Sequence, residues 1–242
     1  MNNQFYLVFD WIQGENLQNN EINNVHCEKI GAILAEIHKI DFSELGIIND
    51  VIDNGQTTTW NYYLQKGKEE RSEWVKLLFK NLDNLNNWNS AAIVVLKLLS
   101  INMVISHRDL DPKNVIWIQY KPFLIDWESA GYINPMQDLI ETAIYWSKND
   151  NGNVDKQKFF SFINGYKKNY GELHANWEMV LINGFLGRLG WLEYNLKRSL
   201  WIESTDEEEQ KFGTIQVIET INEMNLYADI IPKLLDWLHN EL

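Results

Sequence analysis

The sequence predicts an α+β fold that is predominantly α-helical and carries one small β-hairpin. Two observations predict it. Apolar residues recur at helical spacing along most of the chain. Two short β-prone runs, Val115-Ile116-Trp117-Ile118 and Phe123-Leu124-Ile125, flank the turn-forming stretch Gln119-Tyr120-Lys121-Pro122.

Each element follows from its residues. Residues 27–39 alternate apolar and polar positions with helical period. Residues 41–56 read as a loop with turn residues. Residues 57–80 are rich in Trp, Tyr and Leu at helical spacing, with a break expected near Gly67. Residues 85–99 form a further amphipathic helix, and Met103-Val104-Ile105 a short strand. Pro135 opens a helix to Ser147, because proline is favoured in a first turn. Residues 154–169, 175–200 and 206–242 read as helices, the last interrupted before Pro232. Asp206-Glu207-Glu208-Glu209 suits a first turn, where carboxylates meet the positive end of the dipole. No repeat, low-complexity tract or linker is visible.

The strongest chemical signal is Ser106-His107-Arg108-Asp109-Leu110-Asp111-Pro112-Lys113-Asn114, followed by Leu124-Ile125-Asp126-Trp127-Glu128. It reads H-x-D-x-x-x-x-N, a hairpin, then a second Asp. Asp109 and Asn114 sit at the two ends of one loop, and the hairpin returns Asp126 beside Asn114. A carboxylate that takes a proton from a hydroxyl, with an Asn and an Asp that hold Mg²⁺ against nucleotide phosphates, is the arrangement of phosphoryl transfer. A loop whose His and Asp merely bond backbone would not need all four elements in order.

At these residues the chain resembles the aminoglycoside phosphotransferase and choline kinase-like group, which shares the protein-kinase fold. Phe5-Tyr6-Leu7-Val8-Phe9-Asp10-Trp11-Ile12-Gln13-Gly14 is similar to the last N-lobe strand and hinge of that group. Ile30 to Ile40, ending Leu34-Ala35-Glu36-Ile37-His38-Lys39-Ile40, is similar to its first C-lobe helix. Gly131 to Leu139 is similar to the stretch after the metal-binding Asp. The likeness runs from residue 5 to about Trp146.

The resemblance implies a role for each matching position. Asp109 would be the catalytic base, and Asn114 and Asp126 the Mg²⁺ ligands. His107 and Arg108 would support the loop, and Asp138 would tie the following helix to it. Backbone groups at Asp10, Trp11 and Ile12 would bond the adenine of ATP. Asp111 stands where protein kinases usually place a Lys, Asp126-Trp127-Glu128 replaces their D-F-G, and no A-P-E follows. The resemblance therefore implies a small-molecule kinase, with an atypical protein kinase as a weaker reading.

Residues 1–14 read as the last N-lobe strand and hinge, and 15–242 as a kinase-like C-terminal lobe. No G-x-G-x-x-G occurs. The expectation is a C-lobe without most of its N-lobe, arising from a misplaced start, a broken gene or a natural fragment. The alternative function is then a non-catalytic C-lobe fragment. An uncovered strand at residues 5–9 would be a template for self-association.

Composition narrows the partners. With 21 basic and 34 acidic residues the net charge is −13, which disfavours nucleic acid and anionic membranes. The single Cys27 excludes an internal disulfide framework. No leader and no membrane span is visible, so a cytoplasmic enzyme is expected. His26, His38, His174 and His239 share no metal-ligand spacing. Trp60, Trp74, Trp177, Trp191 and Trp237 lie in amphipathic helices, where core packing is a commoner use than a cation cage. Residues 203–242 hold ten acids and two lysines. C-terminal helices help to build the substrate site in the resembled group, so this acidity suits a cationic acceptor; a solvated face explains it as well. Antibiotic, choline, sugar and amino alcohol all remain open as the phosphoryl acceptor, as does GTP in place of ATP.

Overall fold

The computed structural model describes residues 10–42, 57–149 and 151–242. In chain order its elements are α1 (Asn24–His38), α2 (Trp60–Glu70), α3 (Val75–Lys80), α4 (Leu82–Leu99), β1 (Val104–Ser106), β2 (Val115–Ile118), β3 (Lys121–Leu124), β4 (Gly131–Ile133), α5 (Pro135–Ser147), α6 (Lys156–Tyr170), α7 (Trp177–Asn183), α8 (Phe185–Ser199) and α9 (Glu207–Glu241). Short 3-10 turns at Pro112–Asn114 and Trp127–Ser129 complete them. The α+β, mostly helical expectation stands. The predicted strand at residues 5–9 and most of the predicted loop at 41–56 lie outside the described residues.

The chain forms two compact units. The first comprises the described residues of Met1–Asp41, with Ile105–Gly131 and Glu141–Gly171. Its frame is the packing of α1 on α6. Asn23 caps α1 by accepting from the backbone N–H groups of Val25 and His26, and the His26 ring accepts the Asn23 N–H in return. Cys27, Ile30, Leu34 and Ala35 form the fully buried face of α1. Glycines let the two backbones touch. A Cβ at Gly31 would lie 2.0 Å from the Phe162 carbonyl oxygen, and one at Gly165 would lie 1.9 Å from that of Glu28. His38 and Tyr166 share a hydrogen bond of 2.8 Å across the same crossing. Burial pushes the Cys27 thiol up to about 12, and its Sγ donates to the Trp146 carbonyl at 3.4 Å. It is a packing residue.

The β2–β3 hairpin belongs to this unit. Its register pairs Val115 with Leu124 and Ile118 with Lys121. Gln119, in the left-handed region at φ 55°, and Tyr120 make the turn. The turn is thus two residues shorter than the sequence suggested, and Pro122 lies within a strand, opposite Trp117. Trp117 turns its N–H and C=O to Glu15 on the other side of β2, so its pair with Pro122 carries no ladder bond and the missing proline N–H costs none.

The second unit comprises the described residues of Phe42–Val104, with Tyr132–Ile140 and Glu172–Leu242. It is a helical assembly of α2, α3, α4, α7, α8 and α9. Trp74 is fully buried and donates through Nε1 to the Ser199 hydroxyl at 2.8 Å. Trp88 stacks on Phe185 with ring centroids 4.7 Å apart. The Tyr227 hydroxyl donates to the Leu181 carbonyl at 2.6 Å. Asn134 caps α5, accepting from the N–H groups of Met136 and Gln137 while its amide donates to the carbonyls of Leu99 and Asn102.

Three boundaries differ from the sequence expectation. Residues 57–80 do break, but at Arg71, which adopts φ 56° after α2. Gly67 stays helical because the Trp74 ring packs on it, only 2.3 Å from where a Cβ would stand. Residues 175–200 form two helices divided at Gly184, where the Tyr227 hydroxyl takes the space of a side chain. The last helix is not interrupted at Pro232. Tyr227 before it and Leu234, Trp237 and Leu238 after it are all buried, and that packing offsets the lost backbone bond. Trp60, Trp74, Trp177 and Trp237 are buried core residues, as expected; Trp191 is the exposed one.

Candidate active site

The predicted catalytic loop is built wholly within the first unit. β1 delivers His107, which is fully buried. Its Nε2 donates to the Ile125 carbonyl at 2.9 Å, and its Nδ1 accepts the Asp109 N–H at 3.3 Å. Both ring nitrogens are thereby used inside the loop, and the ring packs on Trp127 with centroids 4.6 Å apart. Arg108 adopts φ 64°, and its guanidinium lies beside Gly131, where a Cβ would come within 2.9 Å of Nη1. The arrangement leaves Asp109 partly exposed at the loop surface.

Asn114 closes the loop. It is buried, and its Nδ2 donates to the Asp109 carbonyl and to Asp109 Oδ2, each at 2.8 Å. The Lys113 ammonium stands 3.5 Å from the same Oδ2. Among the described residues nothing donates to Asp109 Oδ1. Asp111 caps the 3-10 turn by accepting the Lys113 N–H. Burial raises its pKa above the ordinary carboxylate value, against the opposing pull of that N–H and of the Lys113 charge.

The hairpin brings the second Asp to the same place. The Ile125 N–H donates to the Asn114 carbonyl at 3.0 Å, so Asp126 is one residue from a direct backbone contact with Asn114. Asp126 is exposed and adopts φ 63°, a left-handed conformation that Asp tolerates better than most residues. Asn114 Oδ1 and the Asp126 carboxylate carry no hydrogen bond among the described residues. Two uncommitted hard oxygens suit Mg²⁺, which needs only one or two protein ligands beside water and phosphate. Among the described residues no group of three or more His, Cys, Asp or Glu gathers as a metal cage.

The other predicted positions lie as follows. Asp10 and Trp11 are exposed and Ile12 is half-buried. Asp138 is buried in the first turn of α5, within the second unit. Four residues with no role expected from the sequence support the loop. The Asn16 amide donates to the carbonyls of Lys113 at 2.7 Å and Val115 at 3.0 Å. Glu15 makes a two-bond bridge with Trp117, at 3.1 and 2.8 Å, which ties the segment before α1 to β2. Gly14 is required there, since a Cβ would sit 2.5 Å from the Trp117 carbonyl oxygen. Trp146, fully buried on α5, donates to the Leu110 carbonyl at 2.8 Å and so backs the loop from beneath.

A family model described as the phosphotransferase enzyme family matches residues 2–174. The chain belongs to the phosphotransferase enzyme family. Solved structures agree on the fold. An ethanolamine kinase of Plasmodium vivax superposes with a TM-score of 0.57 at 17% identity, over 90% of this chain and 66% of its own. A spectinomycin phosphotransferase, crystallised with ADP and spectinomycin, gives 0.62 at 12% identity, over 88% and 68%. A choline kinase of Cryptosporidium parvum gives 0.55 at 14% identity, over 95% and 73%. The chain thus spans about two thirds of the length of the first of these proteins. No curated protein sequence matches it. No helix among the described residues is long and apolar enough to cross a membrane. For this member of the phosphotransferase family, the matched segment contains every residue of the candidate site.

Proposed function

We propose that the chain is an ATP-dependent phosphotransferase that moves the γ-phosphoryl group to a hydroxyl of a small molecule. The observation that carries the reading is the asymmetric holding of Asp109. Its Oδ2 is engaged by Asn114 and Lys113, while Oδ1 is left without a partner. A carboxylate pinned by one oxygen and open at the other can accept a proton from a hydroxyl placed before it. Asn114 Oδ1 and Asp126 would hold Mg²⁺, which when bound would neutralise phosphate charge. The Ile125 N–H bond to the Asn114 carbonyl holds the backbone of Asp126 close to that of Asn114. Lys113 adds a positive charge next to the reacting carboxylate. His107, Arg108, Asn16 and Trp146 hold the loop, and the Asp10–Ile12 backbone offers the adenine its hydrogen bonds.

The acceptor proposed is cationic, because a chain of net charge −13 attracts cations and repels anions. Phosphorus NMR with Mg²⁺-ATP and a panel of amino alcohols, aminoglycosides, neutral sugars and acidic sugars tests both statements. Acceptor-dependent ADP formation, strongest with a cation and weakened by salt, is the expected result. ATP binding without turnover on any acceptor would support the non-catalytic reading instead.

A further inference from the structure

The second unit holds a cleft of about 660 Å³ where the C-terminal ends of α2 and α8 meet the early turns of α9. That volume falls in the usual range for small-molecule sites, about 300–1,000 Å³. Arg71, Trp201 and Lys211 line it, together with Ser199, Gln210 and Thr214.

The helices α2 and α8 end in the same way. The Ser72 N–H donates to the Gly67 carbonyl at 2.9 Å, and the Arg71 N–H to that of Lys68 at 3.3 Å. At the end of α8 the Ile202 N–H donates to the Lys197 carbonyl at 2.8 Å, and the Trp201 N–H to that of Arg198 at 3.1 Å. This pair of bonds needs a left-handed residue, and glycine is its usual occupant because a Cβ makes that backbone costly. Here the residues are Arg71, at φ 56°, and Trp201, at φ 59°. The other non-glycine residues with positive φ among the described residues are Arg108 and Asp126, in the candidate active site, and Gln119, in the hairpin turn. Strained positions of this kind gather at functional sites. Two of them border one cleft.

No polar partner within the fold accounts for either side chain. The side chains of Arg71 and Lys211 make no hydrogen bond, ion pair or ring contact among the described residues. By contrast, Lys66, Lys113, Lys168 and Lys197 each pair with a carboxylate. Trp201 is 51% exposed, and its indole N–H makes no hydrogen bond among the described residues. The floor beneath them is fixed. Trp74 Nε1 donates to the Ser199 hydroxyl, which bonds Thr214 Oγ1 at 2.7 Å, and Gln210 Nε2 donates to the Ser199 carbonyl at 2.9 Å.

Glu70 and Glu73 also border the cleft, and neither pairs with Arg71. They offset the two cations in net charge, so a ligand is chosen here by contact and not by a long-range field. A guanidinium is a planar fork that meets a carboxylate with two parallel bonds, and an indole face takes a flat ring.

We propose that this cleft binds an aromatic carboxylate, with Arg71 and Lys211 as its counter-charges and Trp201 as the surface on which its ring stacks. The proposal goes beyond phosphoryl transfer and its cationic acceptor. The ligand has the opposite charge, no residue assigned to the reaction lines the cleft, and binding needs no nucleotide.

Ligand-observed NMR titration of the full chain with sodium phenylacetate, without nucleotide, tests it. Millimolar binding is expected, at least about tenfold tighter than phenylacetamide, which lacks the charge, and than acetate, which lacks the ring. Arg71→Gly puts the favoured residue at a left-handed helix end, so the melting temperature should hold or rise while phenylacetate binds at least about tenfold more weakly. Trp201→Ala should weaken it about threefold or more. Glu73→Gln removes a repelling charge and should tighten it. Several results would overturn the proposal: no binding of phenylacetate up to roughly 20 mM, equal binding of phenylacetamide or acetate, parental binding by Arg71→Gly or Trp201→Ala, a lower melting temperature for Arg71→Gly, or weaker binding by Glu73→Gln. Absence of phosphoryl transfer would leave these readouts unchanged, so the two ideas fail separately.

Discussion

Asn114 Nδ2 grips Asp109 twice, at the backbone carbonyl and at the carboxylate, with both bonds at 2.8 Å. The amide therefore fixes the proposed base and leaves its own oxygen, the proposed Mg²⁺ ligand, without a hydrogen bond among the described residues. Asp109→Asn should lower phosphoryl transfer by about 10²–10⁴-fold, the usual worth of a general base, and leave nucleotide affinity nearly intact. Asn114→Ala should damage both, because one side chain serves both ends. Transfer rates and nucleotide affinities measured on the two variants check this; a rate for Asp109→Asn within a few-fold of the parent would contradict the assignment.

Asp126→Asn should act on the metal alone. The exposed carboxylate carries no hydrogen bond among the described residues, so its loss costs the fold little. A charged oxygen is removed from a site with few protein ligands, so nucleotide affinity should fall in Mg²⁺ and change little in EDTA. Equal affinity in Mg²⁺ would show that Asp126 is not a ligand.

Gly14→Ala should loosen the segment before α1 from β2. The new Cβ meets the Trp117 carbonyl at 2.5 Å and the Ile116 side chain at the same distance, and a backbone atom cannot swing aside. The Glu15–Trp117 bridge then has to shift. Overpacking of this kind costs about 1–3 kcal/mol. Thermal unfolding of Gly14→Ala beside Gly152→Ala, where a Cβ meets nothing within 4 Å but φ is +75°, separates collision from backbone strain.

Asp111 gives a pH signature. Burial holds its pKa above the ordinary carboxylate value. The folded state therefore binds this proton more tightly than the unfolded state, and the contribution of Asp111 to stability declines as pH rises from the unfolded value through the raised folded one. Asp111→Asn keeps a cap for the Lys113 N–H and removes the buried charge. It should raise the melting temperature at pH 7, and the gain should vanish at a pH below the unfolded pKa. A gain that persists in acid, or a loss at pH 7, would contradict the burial argument.

Much of the layout of the candidate site was legible because the proposed roles rest on side chains at short spacing. His107, Asp109, Asn114 and Asp126 form a pattern that only a turn and a hairpin need to close. Asn16 and Trp146 were not legible, since each acts on a backbone carbonyl, at separations of 97 and 36 residues for Lys113 and Leu110. Every residue type offers the same carbonyl, so such contacts leave no mark on the partner's identity. The helix break at Arg71 escaped for a related reason. Gly67 carries the intrinsic weakness, but the Trp74 ring that overrides it comes from beyond the helix. Pro232 misled in the same way, because buried residues on both sides outweigh one missing N–H.

The contact of α1 with α6 has a consequence for synthesis. His38 and Tyr166 are 128 residues apart, and the chain between them passes through the other unit before it returns. The apolar stripe of α1 must wait, uncovered, until residue 165 has left the ribosome. At about 5–20 residues per second that interval lasts on the order of ten seconds, long enough for a chaperone to engage or for two nascent chains to meet. Closure over so long a loop is slow to nucleate. The glycines that permit this close crossing thus also leave α1 uncovered for much of synthesis, and yield on expression should depend on temperature and chaperone supply more than the finished fold would suggest.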